Sequence, residues 1–87
     1  MMIRQYRVET EPVSIDGVID AKESNELIFI NKGTATAEID GFPLASGEFL
    51  TDGGNQDEIN VSRYRITFTG AGTKIVFVRR KFYMHLK

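Results

Sequence analysis

Apolar residues recur at every second position along most of this chain, and glycine-centred turns interrupt them at short intervals. A period of two builds strands whose side chains alternate between faces, and no segment carries the i, i+3, i+4 apolar stripe of a surface helix. "RYRITFT", residues 63–69, sends Tyr64, Ile66 and Phe68 to one face and Arg63, Arg65, Thr67 and Thr69 to the other. "TATAEI", 34–39, sets Ala35, Ala37 and Ile39 inward, and "RQYRVE", 4–9, puts Tyr6 and Val8 opposite Arg7 and Glu9. "ELIFIN", 26–31, departs from the alternation. Leu27, Ile28, Phe29 and Ile30 are apolar without a break, the pattern of a central strand covered on both faces.

The turns are legible as chemistry. Asp40-Gly41 is the strongest hairpin signal, because a type I′ turn needs positive φ at both central residues. Asp16-Gly17 and Ser46-Gly47 are further turn pairs, and Asn31-Lys32-Gly33 breaks the apolar strand. Pro43 lacks an N–H for a ladder, so "FPL" belongs at an edge or a strand start. "GAG", 70–72, reads as the turn of a closing hairpin between "RYRITFT" and "TKIVFVRRKFY". Residues 20–25 fit a single helical turn. The chain is therefore expected to be all-β, a small antiparallel β-sandwich or barrel of about seven to eight short strands. It forms one domain, 1–87, in which residues 1–26 either join the sandwich or reach out as a looser N-terminal arm.

At 87 residues the core is small, on the order of 3–5 kcal/mol net. There is no cysteine, so disulfides and thiolate metal sites are excluded, and the single histidine, His85, cannot build a cluster. Self-association or docking on a larger body is the natural source of further stability. "MMIRQYRVETEP" lacks the apolar stretch of a signal peptide and no run approaches the roughly 20 residues of a membrane span, so synthesis in the cytoplasm and no membrane partner are expected. Charge is split along the chain: residues 1–45 carry four cations and eight acids, residues 46–87 seven cations and four acids. The split reads either as scattered solvated charge or as complementary patches that steer assembly.

Reactive constellations are lacking. The loop Asp52-Gly53-Gly54-Asn55-Gln56-Asp57-Glu58 offers calcium-type oxygens, but positions 54 and 56 break the calcium-loop spacing, and no lysine or helix follows to make a phosphate cradle. Glu48, Asp57 and Glu58 would have to meet in a cleft to hydrolyse a glycoside. Ser14, Ser24, Ser46 and Ser62 share one distant histidine. No enzyme activity, cofactor or metal is expected. Arg79-Arg80-Lys81, followed by Phe82, Tyr83, His85 and Lys87, can be read three ways: a solvated strand end, an arm that docks on a neighbour, or a nucleic-acid contact. The sequence pI of 5.8 argues against the last. Phe42 follows a tight turn beside Pro43 and Leu44, at an edge where a partner can cover it. Phe42, Phe49, Tyr6 and Tyr83 also have the chemistry of a sugar-stacking platform.

Across residues 27–83, "LIFINKGTATAEIDG", "LASGEF", "GGNQDEI" and "YRITFTGAGTKIVFVRRKFY" follow one another with a cadence that resembles small β-sandwich accessory proteins of tailed bacteriophage virions. The likeness is to capsid auxiliary or head-fibre components of gut phages. It covers about two thirds of the chain and rests on positions of structural type: Gly33, Gly41, Leu44, Gly47, Tyr64, Ile66 and Phe68. The resemblance implies a non-enzymatic virion part in the capsid, neck or tail, made in the host cytoplasm and present in many copies. It implies a homo-oligomer, with a trimer among the options, or attachment to a larger virion protein. Contacts are then expected from Phe42, Leu44 and Phe49, with Arg79, Arg80, Lys81, Phe82 and Tyr83 adding charge. Reversing both Arg80 and Lys81 to glutamate should weaken association and spare the fold. The rival expectation is a carbohydrate- or host-surface-binding module of the same fold class.

Overall fold

The computed structural model describes residues 3–84; His85 and Lys87 lie outside them. Eight strands run in the order β1 (Gln5–Val13), β2 (Gly17–Asp20), β3 (Glu26–Asn31), β4 (Thr36–Ile39), β5 (Phe42–Leu44), β6 (Phe49–Gly53), β7 (Arg63–Thr69) and β8 (Val76–Met84). They form two four-stranded antiparallel sheets, ordered β1-β8-β3-β6 (sheet A) and β2-β7-β4-β5 (sheet B). There is no helix among the described residues. The chain is a small β-sandwich, as the period of two predicts.

The core lies between the sheets and is assembled from alternate residues of each strand. Leu27 and Phe29 of β3 and Val76 and Val78 of β8 come from sheet A. Ala37, Ile39, Leu44, Tyr64, Ile66 and Phe68 come from sheet B. Phe29 meets Tyr64 edge to face with ring centres 5.0 Å apart. The described part of the N-terminal segment, residues 3–26, supplies an edge strand to each sheet, β1 to A and β2 to B.

Connectivity departs from the expected hairpins. Among the described residues only β4 and β5 are neighbours both in sequence and in a sheet, joined through Asp40 (φ 51°) and Gly41 (φ 84°), as the I′ signal predicts. β7 and β8 lie in different sheets, so "GAG" is an arch between layers and not a hairpin turn. The β3–β4 connection is a second such arch, and the two are stitched together. Ala35 N–H and Thr34 N–H donate to Thr73 O (both 3.0 Å), and Thr73 N–H donates to Thr34 Oγ1 (2.8 Å). Residues 20–25 are not helical either: Lys22 and Glu23 have φ of 58° and 59°, and Ser24 forms a bridge with Asn60. A right-handed turn cannot pass through left-handed residues.

The arches touch closely enough to fix one glycine. A Cβ on Gly33 would stand 2.3 Å from Thr73 O and 2.9 Å from Ile75 N, both backbone atoms. Gly33→Ala is therefore expected to lose about 2–3 kcal/mol in urea denaturation. A loss below about 0.5 kcal/mol, the level of an ordinary surface change, would contradict the close approach.

Candidate interaction surface

The two outer faces of the sandwich differ. Sheet B presents Arg63, Arg65, Thr67 and Thr69 from β7, with Asp20 opposite Arg63 and Glu38 opposite Thr67; Val18 opposite Arg65 and Pro43 beside Glu38 are its apolar members. That is the polar face expected of a half-buried antiparallel sheet.

Sheet A is different. The register sets Pro12, Phe77, Ile30 and Phe49 side by side across all four strands. The next row is Thr10, Arg79, Ile28 and Thr51, and the next holds Val8, Lys81 and Glu26. Tyr6 and Tyr83 close the face at its far end, where 82–84 of β8 pair with β1 and no longer with β3. Phe49 is 67% exposed and Tyr6 56%. Ile28, Ile30 and Phe77 are half-buried by neighbours within their own sheet. Nothing in the described chain lies over them. "LIFI" was expected to be covered on both faces; the chain covers only Leu27 and Phe29.

Electrostatics on this face are local. Lys81 Nζ sits 4.3 Å from the centre of the Tyr6 ring and 5.0 Å from that of Tyr83. Hydrogen bonding to Tyr83 raises the Lys81 pKa above its ordinary value, with the Glu26 carboxylate a smaller contributor, so the ammonium stays charged at neutral pH. The lengthwise charge split does not become two surfaces, because the fold pairs Glu26 with Lys81 and Asp20 with Arg63.

No family model, curated protein or solved structure matches this chain.

The residues singled out in the sequence separate into four groups. Phe49, Arg79, Lys81 and Tyr83 come together on the outer face of sheet A. Phe42 is 56% exposed, but it stands on the β5 edge of sheet B, away from them. Phe82 points to the other side of its strand and is half-buried under the Arg7 guanidinium, 4.2 Å from its ring centre. Leu44 and Arg80 are corrections. Leu44 is 2% exposed because the β4–β5 hairpin turns it into the core, opposite Ala37. Arg80 is 2% exposed: its Nε and Nη2 donate to Asp20 O (3.0 and 2.8 Å) and Nη2 also to Glu11 Oε1 (2.9 Å). One position of strand parity separates it from Arg79 and Lys81 outside. Ile28, Ile30 and Phe77 were missed; their signal was the apolar run on both parities of "LIFI" and "VFV", which a two-layer chain cannot bury twice.

The other candidate centres are structural in their bonding. Glu48 O accepts Asn31 N–H at one end of β3, while Glu58 O accepts from Asn25 Nδ2 at the other, so the backbones of the two residues stand about 20 Å apart along the strand. The 52–58 loop is clamped by Asn25, whose Nδ2 donates to Glu58 O (2.7 Å) and Gln56 O (3.3 Å) while its Oδ1 accepts Tyr83 N–H. Asp52 accepts the Tyr64 hydroxyl proton, and Asn60 Nδ2 donates to that same hydroxyl. Burial, then the Asp52 carboxylate, pushes the Tyr64 pKa up, which keeps the phenol a donor. No group of three His, Cys, Asp or Glu converges among the described residues. Tyr6 and Tyr83 meet at 67° with ring centres 6.1 Å apart, not as the coplanar pair on which a sugar ring stacks.

Proposed function

We propose that this chain is a non-enzymatic structural protein that works by protein–protein assembly through the outer face of sheet A. We propose further that it is an accessory component of a tailed-phage particle. The observation that carries the assembly reading is the contrast between the two outer faces: one mostly polar, the other crossed from edge to edge by the apolar row Pro12, Phe77, Ile30 and Phe49, with Ile28 and Val8 beside it. A contiguous apolar patch with a few cations and aromatic residues is the composition of an interface centre. Arg79 and Lys81 supply charge-assisted contacts beside it. The particle context is supported by the resemblance of residues 27–83 alone, and it carries the virion location and many-copy role with it.

The test is incorporation into particles of the phage that encodes the sequence. The wild-type chain is expected in purified particles at a fixed ratio to the major capsid protein. Ile28→Lys with Phe49→Lys, both on the outer face, should keep stability within about 1 kcal/mol and be lost from the particles. Particles that carry the folded double variant at the wild-type ratio would overturn the assembly role of this face. Particles lacking the wild-type chain would remove the phage setting, and specific binding on a glycan array would favour the carbohydrate reading.

A further inference from the structure

β1 is the long open edge of the molecule. It pairs with β8 along nine positions and, among the described residues, has no neighbour on its other side. The other edge strands are short or blunted: β2 has four residues, β5 three with Pro43 among them, and β6 ends at Gly53. Which backbone groups of β1 are free follows from β8. Ile75 O, Lys81 O and Tyr83 N–H all bond toward the β3 side, so odd residues of β8 face β3 and even ones face β1. The register Arg7↔Phe82, Glu9↔Arg80, Glu11↔Val78 then ties the odd residues of β1 into the ladder. Tyr6, Val8 and Thr10 direct N–H and C=O outward. Pro12 shares their parity, so its missing N–H costs no bond within the sheet.

We infer that this edge pairs with the β1 edge of a second copy, antiparallel and centred on Val8. That register bonds Val8 to its own symmetry mate and Tyr6 to Thr10 of the other copy, using every outward group of 6, 8 and 10. It also sets Arg7 opposite Glu9 of the other copy, twice by symmetry, in the closely spaced non-hydrogen-bonded positions. The neighbouring registers fail on charge: shifting the centre to residue 7 opposes two arginines, and shifting it to residue 9 opposes two glutamates. Arg7 and Glu9 are exposed and pair with each other within β1, so the same two charges exchange partners across the edge without being drawn out of the core. The stretch "RVE" is self-complementary in the antiparallel sense, which is what an isologous interface requires. The two A sheets become one eight-stranded sheet, and Tyr6, Val8 and Thr10 join the two apolar faces into one floor. The edge interface is separate from the proposed docking face and merges with it only at these residues.

Light scattering of the purified chain tests this. The wild type is expected at twice the 9.8 kDa chain mass. Val8→Pro removes the central outward N–H and no bond to β8, so it should be monomeric with an unchanged circular dichroism spectrum. Arg7→Glu and Glu9→Arg should each raise the dimer dissociation constant roughly tenfold or more, and the combined swap should restore it. A wild-type monomer, a closed trimer, or a dimer indifferent to all three changes would overturn the pairing. If Val8→Pro fails to fold, the charge swap decides alone. Ile28→Lys with Phe49→Lys should leave this dimer intact, so loss of the docking face and loss of the edge are told apart.

Discussion

Replacing Arg80 with glutamate is expected to unfold the domain. The guanidinium is 2% exposed and satisfies two groups at once, the Asp20 carbonyl on β2 and the Glu11 carboxylate on β1. It thereby ties an edge strand of one sheet to an edge strand of the other. Glutamate would leave the Asp20 carbonyl without its donor and bury a carboxylate beside the half-exposed one of Glu11. Leaving an uncompensated charge at so buried a position costs about 3–5 kcal/mol, as much as the net stability expected of a core this size, about 3–5 kcal/mol. Arg80→Met keeps the packed stem and removes the charge, so it should cost about 1–3 kcal/mol and still fold. Lys81→Glu should fold normally, because the Lys81 head lies on the outer face. Thermal melts followed by circular dichroism separate these. An Arg80→Glu variant that melts within a few degrees of wild type would contradict the buried role. The paired Arg80→Glu, Lys81→Glu variant thus reports folding before it reports association.

The second large effect is expected at Asn31→Asp, a change of one nitrogen for oxygen. Asn31 is fully buried; its two Nδ2 hydrogens go to Ala35 O and Leu44 O, each at 2.9 Å, and its Oδ1 accepts Gly33 N–H at 3.0 Å. It joins the end of β3 to the β3–β4 arch and to β5 in the opposite sheet. A carboxylate there would turn a lone pair toward two carbonyl oxygens at the same distance. The expected loss is about 3–5 kcal/mol at neutral pH, from two lost donors and a buried charge. The deficit should shrink as pH falls, since a protonated carboxyl can donate one of the two bonds back and the folded state then binds the proton more tightly than the unfolded one. Urea denaturation at pH 7 and at pH 4 checks both size and sign. Equal stability of variant and wild type at pH 7 would contradict the bonding of Asn31.

Much of the strand content could be read from the chain, and the reason is local. Alternation in "TATAEI" and "RYRITFT" fixes which residues face inward, and Asp40-Gly41 fixes the one hairpin by its need for positive φ. Connectivity could not be read the same way. "GAG" supplies left-handed glycines whether the next strand folds back into the same sheet or crosses to the other. The choice is made by Thr34 and Gly33, some forty residues away. Asn31 and Arg80 look like a turn former and a surface cation in sequence, because nothing local announces a buried bonding hub. The candidate surface was half legible. Phe49, Arg79, Lys81 and Tyr83 drew notice by exposure-type chemistry. The continuous apolar run predicts that Ile28 and Ile30 are covered, but the core has room for only one face of β3, and Phe77 on β8 shares their outer face.

The central claim is that the outer face of sheet A is where this protein meets its partner. Hydroxyl-radical footprinting of the free chain and of the chain in purified particles tests it most directly. Phe49, Phe77 and Tyr83 are expected to be reactive in the free chain and protected in the particle, while Phe42 on the β5 edge reacts equally in both. Protection of Phe42 with Phe49 and Phe77 left open would contradict it.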